Sequence, residues 1–301
     1  MREGGHLNIL SVQSWVSYGH VGNAAAMFPL QRLGAEVWAI HTVQLSNHTG
    51  YGAWTGEIYT GASVRALVRG IADRGALPRI DAVLSGYLGD LEIGRAILEA
   101  VAEIRRANPA LVYCCDPVMG DVGRGLFVRP GIPETLSGES APASDIMTPN
   151  QFELERLTGL ACDSRPVLLE AVRQLQSRMR PAGPRIVLVT SVRDAETPDD
   201  VVELLAASPE QAFLLRTPIL ALSPSGAGDL IAALFLFHIL DARGLRAALE
   251  LAASSTWGVL AHTLHAGSRE LCLVAAQQEL VLPAHRFEAT VVDAAEHPQG
   301  Y

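Results

Sequence analysis

The sequence predicts an α/β fold: a doubly wound, mostly parallel sheet flanked by helices on both faces. Three observations predict it. Short apolar runs alternate with helix-length segments almost from end to end, and repeated β-α-β order pairs strands in parallel through helical crossovers. Leu91–Ala107 shows the helical period, with Ile93, Ile97, Leu98, Val101 and Ile104 on one stripe and Glu92, Arg95, Glu99, Glu103 and Arg106 off it. The 301 residues are 49% hydrophobic and 18% charged, a globular composition on a chain long enough for a large core. No internal repeat, low-complexity tract or long polar linker interrupts it, so 1–301 reads as a single domain with 1–6 and 292–301 as flexible ends.

In chain order, Leu7–Val12 and Val37–Val43 are apolar strand runs with the helix-length segment Gly22–Leu33 between them. Helix Ala62–Arg74 leads to strand Ala82–Leu84, and helix Leu91–Ala107 leads to strand Leu111–Cys115. Gly120–Gly131 and Ser137–Ser144 read as loops from their Gly, Pro and Ser content, ahead of strand Asp145–Met147. Helices Phe152–Leu157 and Arg165–Met179 precede strand Ile186–Thr190. Thr197–Asp200 is an acidic turn before strand Val201–Leu205, and Phe213–Arg216 is the last strand run. From Gly228 to Ala266 the pattern turns helical, with Gly244 as the break between two helices.

Composition excludes several functions. All 23 basic side chains counted as Lys+Arg are Arg. A chain without Lys has no Walker P-loop, no protein-kinase strand Lys and no Schiff-base Lys for pyridoxal phosphate catalysis. The net charge of −9 argues against a nucleic-acid surface, although a few backbone N–H groups and a metal suffice to hold a small anionic ligand. The longest apolar stretch, Leu230–Leu240, contains His238 and falls short of the roughly 20 residues of a membrane span. The N-terminus lacks the pattern of a signal peptide. Cys114, Cys115, Cys162 and Cys272 form no C-x-x-C pair. Strand alternation sends the adjacent Cys114 and Cys115 to opposite faces, as buried thiols of a reducing compartment, so a cytoplasmic protein is expected.

Ligands of such sheets sit beyond the carboxyl ends of the strands, which selects the residues just after each apolar run. Ser225-Gly226-Ala227-Gly228-Asp229 opens the apolar helix at Leu230. Its glycines bring N–H groups to bear on an anion, and helix dipole and N–H groups should stabilise an ionised Asp229, suited to take a proton from a hydroxyl. The same residues also fit an ordinary Gly turn with Asp as helix cap. In Cys115-Asp116-Pro117-Val118-Met119-Gly120-Asp121, the two Asp either hold Mg²⁺ or form turns. Asn150 and Glu153 in Thr148-Pro149-Asn150-Gln151-Phe152-Glu153 make either a helix cap or outer holders of a metal–phosphate assembly. Gln13-Ser14, Tyr18–Asn23 and Gln44–Tyr51 are polar clusters with aromatic neighbours, suited to a small hydroxylated heteroaromatic ligand. His48 and Tyr51 also fit as ordinary loop and core residues. His262 and His265 lack a third ligand, so no metal is expected there.

Taken together, these segments resemble the pyridoxal kinases of the ribokinase-like superfamily from about Leu7 to Val291. The resemblance rests on SVQS (Ser11–Ser14), YGHVGN (Tyr18–Asn23), VQLSNHTGYGAWTG (Val43–Gly56), LSGYLGD (Leu84–Asp90), CDPVMGD (Cys115–Asp121), TPNQFELE (Thr148–Glu155) and GAGD (Gly226–Asp229). GAGD and N-x-x-E are shared across the superfamily, whereas the first three segments are specific to vitamin B6 kinases. The resemblance implies a homodimer that transfers the γ-phosphoryl of ATP to the 5′-hydroxyl of pyridoxal, with pyridoxine and pyridoxamine as further acceptors. It implies Mg²⁺ and a monovalent cation such as K⁺, and no nucleic-acid or membrane partner. By motif, Asp229 is the base and contacts the substrate, and the N–H groups of Gly226, Ala227 and Gly228 form the anion hole. Asp116, Thr148, Asn150 and Glu153 serve ATP, with Asp116, Asp121 and Glu153 at the metal. Thr190 and Ser191 contact the nucleotide phosphates, and Thr217, Pro218 and Ile219 lie near the nucleotide. Ser14, His48, Thr49, Gly50 and Tyr87 hold the pyridine ring. Two positions depart from the pattern: Ala227 stands where many members carry Thr or Val, and Leu126, in the covering loop, where some bacterial relatives carry Cys. The rivals are a hydroxymethylpyrimidine kinase, which lacks the long SNHTGYGAWTG segment, and a non-catalytic B6-binding protein, which has no use for Asp229 or the metal carboxylates.

Overall fold

The computed structural model describes residues 6–222 and 224–292. Its elements begin β1 (Asn8–Tyr18), α1 (Asn23–Arg32), β2 (Glu36–Asn47), β3 (Gly56–Ile58), α2 (Gly61–Ala72), β4 (Ala82–Ser85), α3 (Leu91–Ala107) and β5 (Val112–Cys115). A small hairpin follows, β6 (Gly120–Asp121) and β7 (Gly125–Leu126), then α4 (Ile132–Thr135), α5 (Ala141–Ala143), β8 (Ile146–Met147), α6 (Gln151–Thr158) and α7 (Arg165–Arg178). The chain closes with β9 (Ile186–Val192), β10 (Val201–Ala207), β11 (Ala212–Pro218), α8 (Ala227–Leu240), α9 (Leu245–His265), α10 (Gln277–Val281) and β12 (Thr290–Val291).

The central sheet has ten strands in the order β12-β11-β10-β9-β8-β5-β4-β1-β2-β3. From β9 across to β2 every ladder is parallel, and both margins are antiparallel. The change at β9 has a physical cause: the link from β9 to β10 is too short for a crossover helix, so the chain must return as a hairpin. Ser208 N–H closes the next turn on the Gln211 carbonyl.

Strand alternation divides the core between the two faces of the sheet. Leu10, Val83, Cys115, Val187 and Val189 face α2, α3, α6 and α7. Ile9, Ala82, Leu84, Cys114 and Leu188 face α1, α8, α9 and α10. The two adjacent cysteines thus occupy opposite faces, and all four cysteines are free thiols. Helix α3 spans the expected residues, with Asp90 accepting from the Glu92 N–H as its cap and Ile93, Ile97, Val101 and Ile104 buried. Helix α8 is buried nearly all round, from Leu230 to His238. His238 has no partner on either ring nitrogen, and burial pushes its pKa down to about 4. Among the described residues no helix is long and apolar enough to cross a membrane.

Several boundaries differ from the expected ones. Ser137–Ser144, expected as a loop, is largely helical: Leu136–Ser140 forms a π-helical turn between α4 and α5. Its Gly, Pro and Ser content is overridden by burial of Ile132, Leu136 and Ala141 in the core beside α3. Strand β1 continues beyond Val12 to Tyr18 because Trp15, Val16 and Tyr18 still pair with β2. Gly120–Gly131 contains the β6–β7 hairpin. Apart from His6 and Val292, the expected flexible ends lie outside the described residues. His6 Nδ1 is 3.1 Å from the Gly34 carbonyl oxygen, and the Val292 N–H donates to the Ala212 carbonyl.

Candidate active site

A cleft of about 1260 Å³ opens beyond the carboxyl ends of the parallel strands. Every residue singled out above as base, anion hole, nucleotide, metal or substrate contact lines it. The topology explains the convergence. Ser14 sits within β1 where its register with β2 shifts between Gln13 and Trp15. Tyr87 follows β4, Asp116 follows β5, Thr148 follows β8, and Thr190 lies near the end of β9. Parallel neighbours place all of these at one rim.

At one end stands the head of α8. Gly226 caps it with φ +93°, and a Cβ there would collide with the carbonyl oxygen of His20. Asp229, in the first turn, is half-buried. The expectation of a carboxyl stabilised in its ionised form is corrected here. Burial is the largest influence and pushes the pKa up to about 6, although the N–H groups of Gly22 and of Asp229 itself pull it down. Ala227 leaves the turn without a hydroxyl, as its side chain requires.

The carboxylates expected at a metal have distinct surroundings. Asp116 is buried and accepts from Thr148 Oγ1 at 2.9 Å. Burial, with the charges of Glu153 and Asp229, pushes its pKa well up. Glu153 Oε1 accepts from the N–H groups of Met119 and Gly120, and Oε2 from that of Asn150. Asn150 Oδ1 in turn accepts from the Glu153 N–H, so the helix-capping reading is fully realised. Burial pushes the Glu153 carboxyl up against these donors. Asp121 serves its hairpin: Oδ1 accepts from the N–H groups of Gly123 and Arg124, and Oδ2 from Arg124 Nε at 2.7 Å. Asp116, Asp121 and Glu153 therefore do not gather as one ligand set, and no group of three metal-binding side chains occurs among the described residues.

At the β9 end of the cleft, β9 bulges where Glu203 and Leu205 of β10 pair with Val192 and Val189. Ser191 adopts φ +54° there, a conformation that β-strands avoid and that costs a non-glycine residue about 1–3 kcal/mol. The Thr190 N–H donates to the Pro149 carbonyl, tying this bulge to the start of α6.

On the other side, His48 caps the short helical turn Thr49–Tyr51 by accepting from the Gly50 N–H at Nδ1, which also lies 3.1 Å from Ser225 Oγ. That commitment leaves the proton on Nε2. Burial and the Arg124 charge lower its pKa, so the ring is neutral at neutral pH. Ser14 is buried beside Gly22, where any Cβ would collide with it. Asn23 has a structural role, its Nδ2 donating to the Ile40 carbonyl at 3.0 Å. Leu126 is exposed and is not a cleft residue, whereas Val122, Arg124 and Phe127 of the same loop are. Arg193, Trp257, Arg269 and Glu270 also line the cleft. Sequence reasoning missed them because they lie in segments without a recognisable motif; the Gly267 turn ending α9 is the one local signal near the last two.

Comparison with known proteins places this geometry. Residues 75–273 match the family described as phosphomethylpyrimidine kinase. The pyridoxal kinase PdxY of Granulibacter bethesdensis is 58% identical over 285 residues, covering 95% of this chain and 100% of that protein. That of Deinococcus radiodurans is 52% identical over 288 residues, covering 95% and 97%. Among solved structures, pyridoxal kinase from Leishmania donovani in complex with ADP and pyridoxine matches with a TM-score of 0.87 at 29% identity, covering 95% of this chain and 99% of that one. Identity at this level over almost the full length means that the chain belongs to the pyridoxal kinase family.

Proposed function

We propose that this chain transfers the γ-phosphoryl of ATP to the 5′-hydroxyl of pyridoxal, forming pyridoxal 5′-phosphate in vitamin B6 salvage. The observation that carries the reading is Asp229, a carboxyl with a pKa of about 6 at the head of a buried helix. Such a group is poised near working pH to accept a proton. Asp229 takes the proton of the attacking hydroxyl, while the N–H groups of Gly226, Ala227 and Gly228 and the positive end of α8 meet the charge on the transferred group. Thr190 and Ser191 hold nucleotide phosphates, Thr217, Pro218 and Ile219 flank the nucleotide, and Thr148 and Asn150 support Asp116 and Glu153. Ser14, His48, Thr49, Gly50 and Tyr87 hold the ring, with His48 offering Nε2–H as donor.

Magnesium fits the donor set. Asp116 stands buried beside the charges of Glu153 and Asp229, in a chain with no Lys to offset them. Mg²⁺ commonly takes one or two protein carboxylates and completes its shell with phosphates and water. Asp116 would hold it, with Glu153 behind and Asp121 at the hairpin, and the ion would shield the phosphate charge. K⁺ as the monovalent ion, a homodimeric assembly, a single domain and a cytoplasmic location complete the proposal; the free thiols favour a reducing compartment.

One observation favours a hydroxymethylpyrimidine kinase: the match to the family described as phosphomethylpyrimidine kinase. That match spans 75–273 and omits Val43–Gly56, one of the segments on which the resemblance to vitamin B6 kinases rests. The relative at 58% identity covers 95% of the chain and argues for pyridoxal. The test is phosphorylation of pyridoxal, pyridoxine, pyridoxamine and hydroxymethylpyrimidine with Mg²⁺ and ATP. Pyridoxal should exceed hydroxymethylpyrimidine at least tenfold in kcat/KM; the reverse order would overturn the assignment.

A further inference from the structure

A single carboxylate ties together the loops at the substrate end of the cleft. Glu270, after α9, accepts from Tyr51 Oη at 2.6 Å through Oε1 and from the His20 N–H at 3.1 Å through Oε2. Ser268 holds it in place: its hydroxyl donates to the Glu270 carbonyl at 2.7 Å and accepts from the Glu270 N–H at 3.1 Å. The approach is close enough that Gly19, at φ +95°, would strike the Glu270 carboxylate with any side chain.

Each partner leads to a different part of the reaction site. The His20 carbonyl abuts Gly226, which starts the turn carrying Asp229. Tyr51 closes the turn that His48 caps, and His48 reaches back to Ser225, immediately before Gly226. The contacts therefore close a ring from Glu270 through His20 to Gly226, and back through Ser225, His48 and Tyr51.

We propose that Glu270 is a positioning residue for phosphoryl transfer, holding the anion turn Gly226–Gly228 and the substrate loop His48–Tyr51 in register across the cleft. The inference rests on the kinase reading above. Charge-assisted hydrogen bonds to a carboxylate are among the stronger ties available to loops, and misplacing reacting groups by about 1 Å costs on the order of a hundredfold in rate. The Tyr51 phenol, pushed up to about 12 chiefly by its hydrogen bond to Glu270, remains a donor at every working pH.

The test compares wild type, E270A, E270Q, Y51F and the double variant Y51F/E270A in pyridoxal phosphorylation, at a temperature where circular dichroism shows each folded. E270A should lose ten- to hundredfold in kcat with KM for ATP changed less than threefold. E270Q keeps the volume and one acceptor oxygen and should lose three- to tenfold. Y51F should also lower kcat, and Y51F/E270A should be no slower than E270A, because both act through one tie. A merely structural staple would lower the melting temperature and leave kcat of the folded variants untouched. Should E270A not fold, E270Q decides. Folded E270A or E270Q with kcat within twofold of wild type, or a loss confined to KM for ATP, overturns the inference while wild-type turnover keeps the kinase reading. A wild-type chain that leaves pyridoxal unphosphorylated removes both.

Discussion

Replacing Asp229 by Asn keeps the volume of the side chain and removes its charge, so it separates what the carboxylate costs from what it does. Burial raises the pKa of Asp229 from 3.8 to about 6. A carboxyl whose folded pKa lies above its unfolded value is better held protonated by the folded state. Its ionisation therefore costs no stability below about pH 3.8, an increasing amount as pH rises, and the full amount above about pH 6. At 1.36 kcal/mol per pH unit the full cost is at most about 3 kcal/mol. Asp229 is partly open to the cleft, so solvent screening reduces this, and D229N should exceed wild type by about 1–2 kcal/mol at pH 8 and by nothing at pH 4. The same change should lower kcat by ~10²–10⁴-fold, the usual contribution of a positioned base, with KM for ATP little altered. Wild-type kcat/KM should fall as pH drops through about 6, and the residual rate of D229N should not. Urea denaturation at the two pH values and an ADP-release assay from pH 5 to 8.5 measure both halves. A folded D229N turning over within threefold of wild type would refute the base assignment. A D229N less stable than wild type at pH 8 would show that the Gly22 and Asp229 N–H groups outweigh burial.

Three further outcomes follow from other sites. Asp116→Asn should raise the Mg²⁺ concentration for half-maximal activity severalfold, and more than Asp121→Asn does, because the Asp121 carboxylate is already committed to Arg124; an unchanged metal titration in D116N removes Asp116 from the metal site. Ser14→Ala should weaken pyridoxal two- to tenfold, the effect of about 0.5–1.5 kcal/mol for one neutral hydrogen bond, with KM for ATP constant; a defect confined to ATP would place Ser14 outside the substrate pocket. His238 is a buried base with its pKa lowered from 6.5 to about 4, so the unfolded chain takes up its proton first as pH falls below 6.5, and stability drops by about 2 kcal/mol between pH 7 and pH 5. His238→Leu should remove that drop in urea titrations at the two pH values, and an unchanged pH slope would refute it.

The parts legible in the sequence are those fixed by periodicity. Helix Leu91–Ala107 was legible from its apolar stripe, and the structure adds the Asp90 cap at its start. Cys114 and Cys115 could be assigned to opposite faces because a strand has a period of two. Ser137–Ser144 could not be read correctly, since its helix is held by tertiary burial of Leu136 and Ala141 against a composition that favours turns. At the site, Asp116 and Thr148 were legible because each follows an apolar run, whereas Thr190, Ser191, Thr217, Pro218 and Ile219 entered only through the family resemblance, and the ionisation of Asp229 was misread. The upward shift of Asp229 comes from burial, which local sequence does not encode, and the N–H groups and dipole that are visible in sequence point the other way. Glu270 was invisible for a related reason: its partners Tyr51 and His20 lie 219 and 250 residues away.

The electrostatics of the cleft bear on how a chain of net charge −9 handles a polyanionic nucleotide. Asp116, Glu153 and Asp229 stand close enough that charge on one raises another. With no Lys in the sequence, the fixed cationic groups lining the cleft are Arg124, Arg193 and Arg269, and Arg124 is already paired with Asp121. The remaining fixed positive potential comes from backbone: the head of α8, where Gly226 keeps a conformation that other residues resist. Backbone N–H groups suit the transferred phosphoryl because they are aimed and need no reorganisation, but their partial charges do not balance a triphosphate and three carboxylates at once. A divalent ion does so from both directions, relieving the repulsion around Asp116 and screening the phosphates. This is why the unfavourable clustering of buried acids, which a purely structural loop would gain nothing by keeping, supports the proposed magnesium-dependent kinase over a passive binding protein.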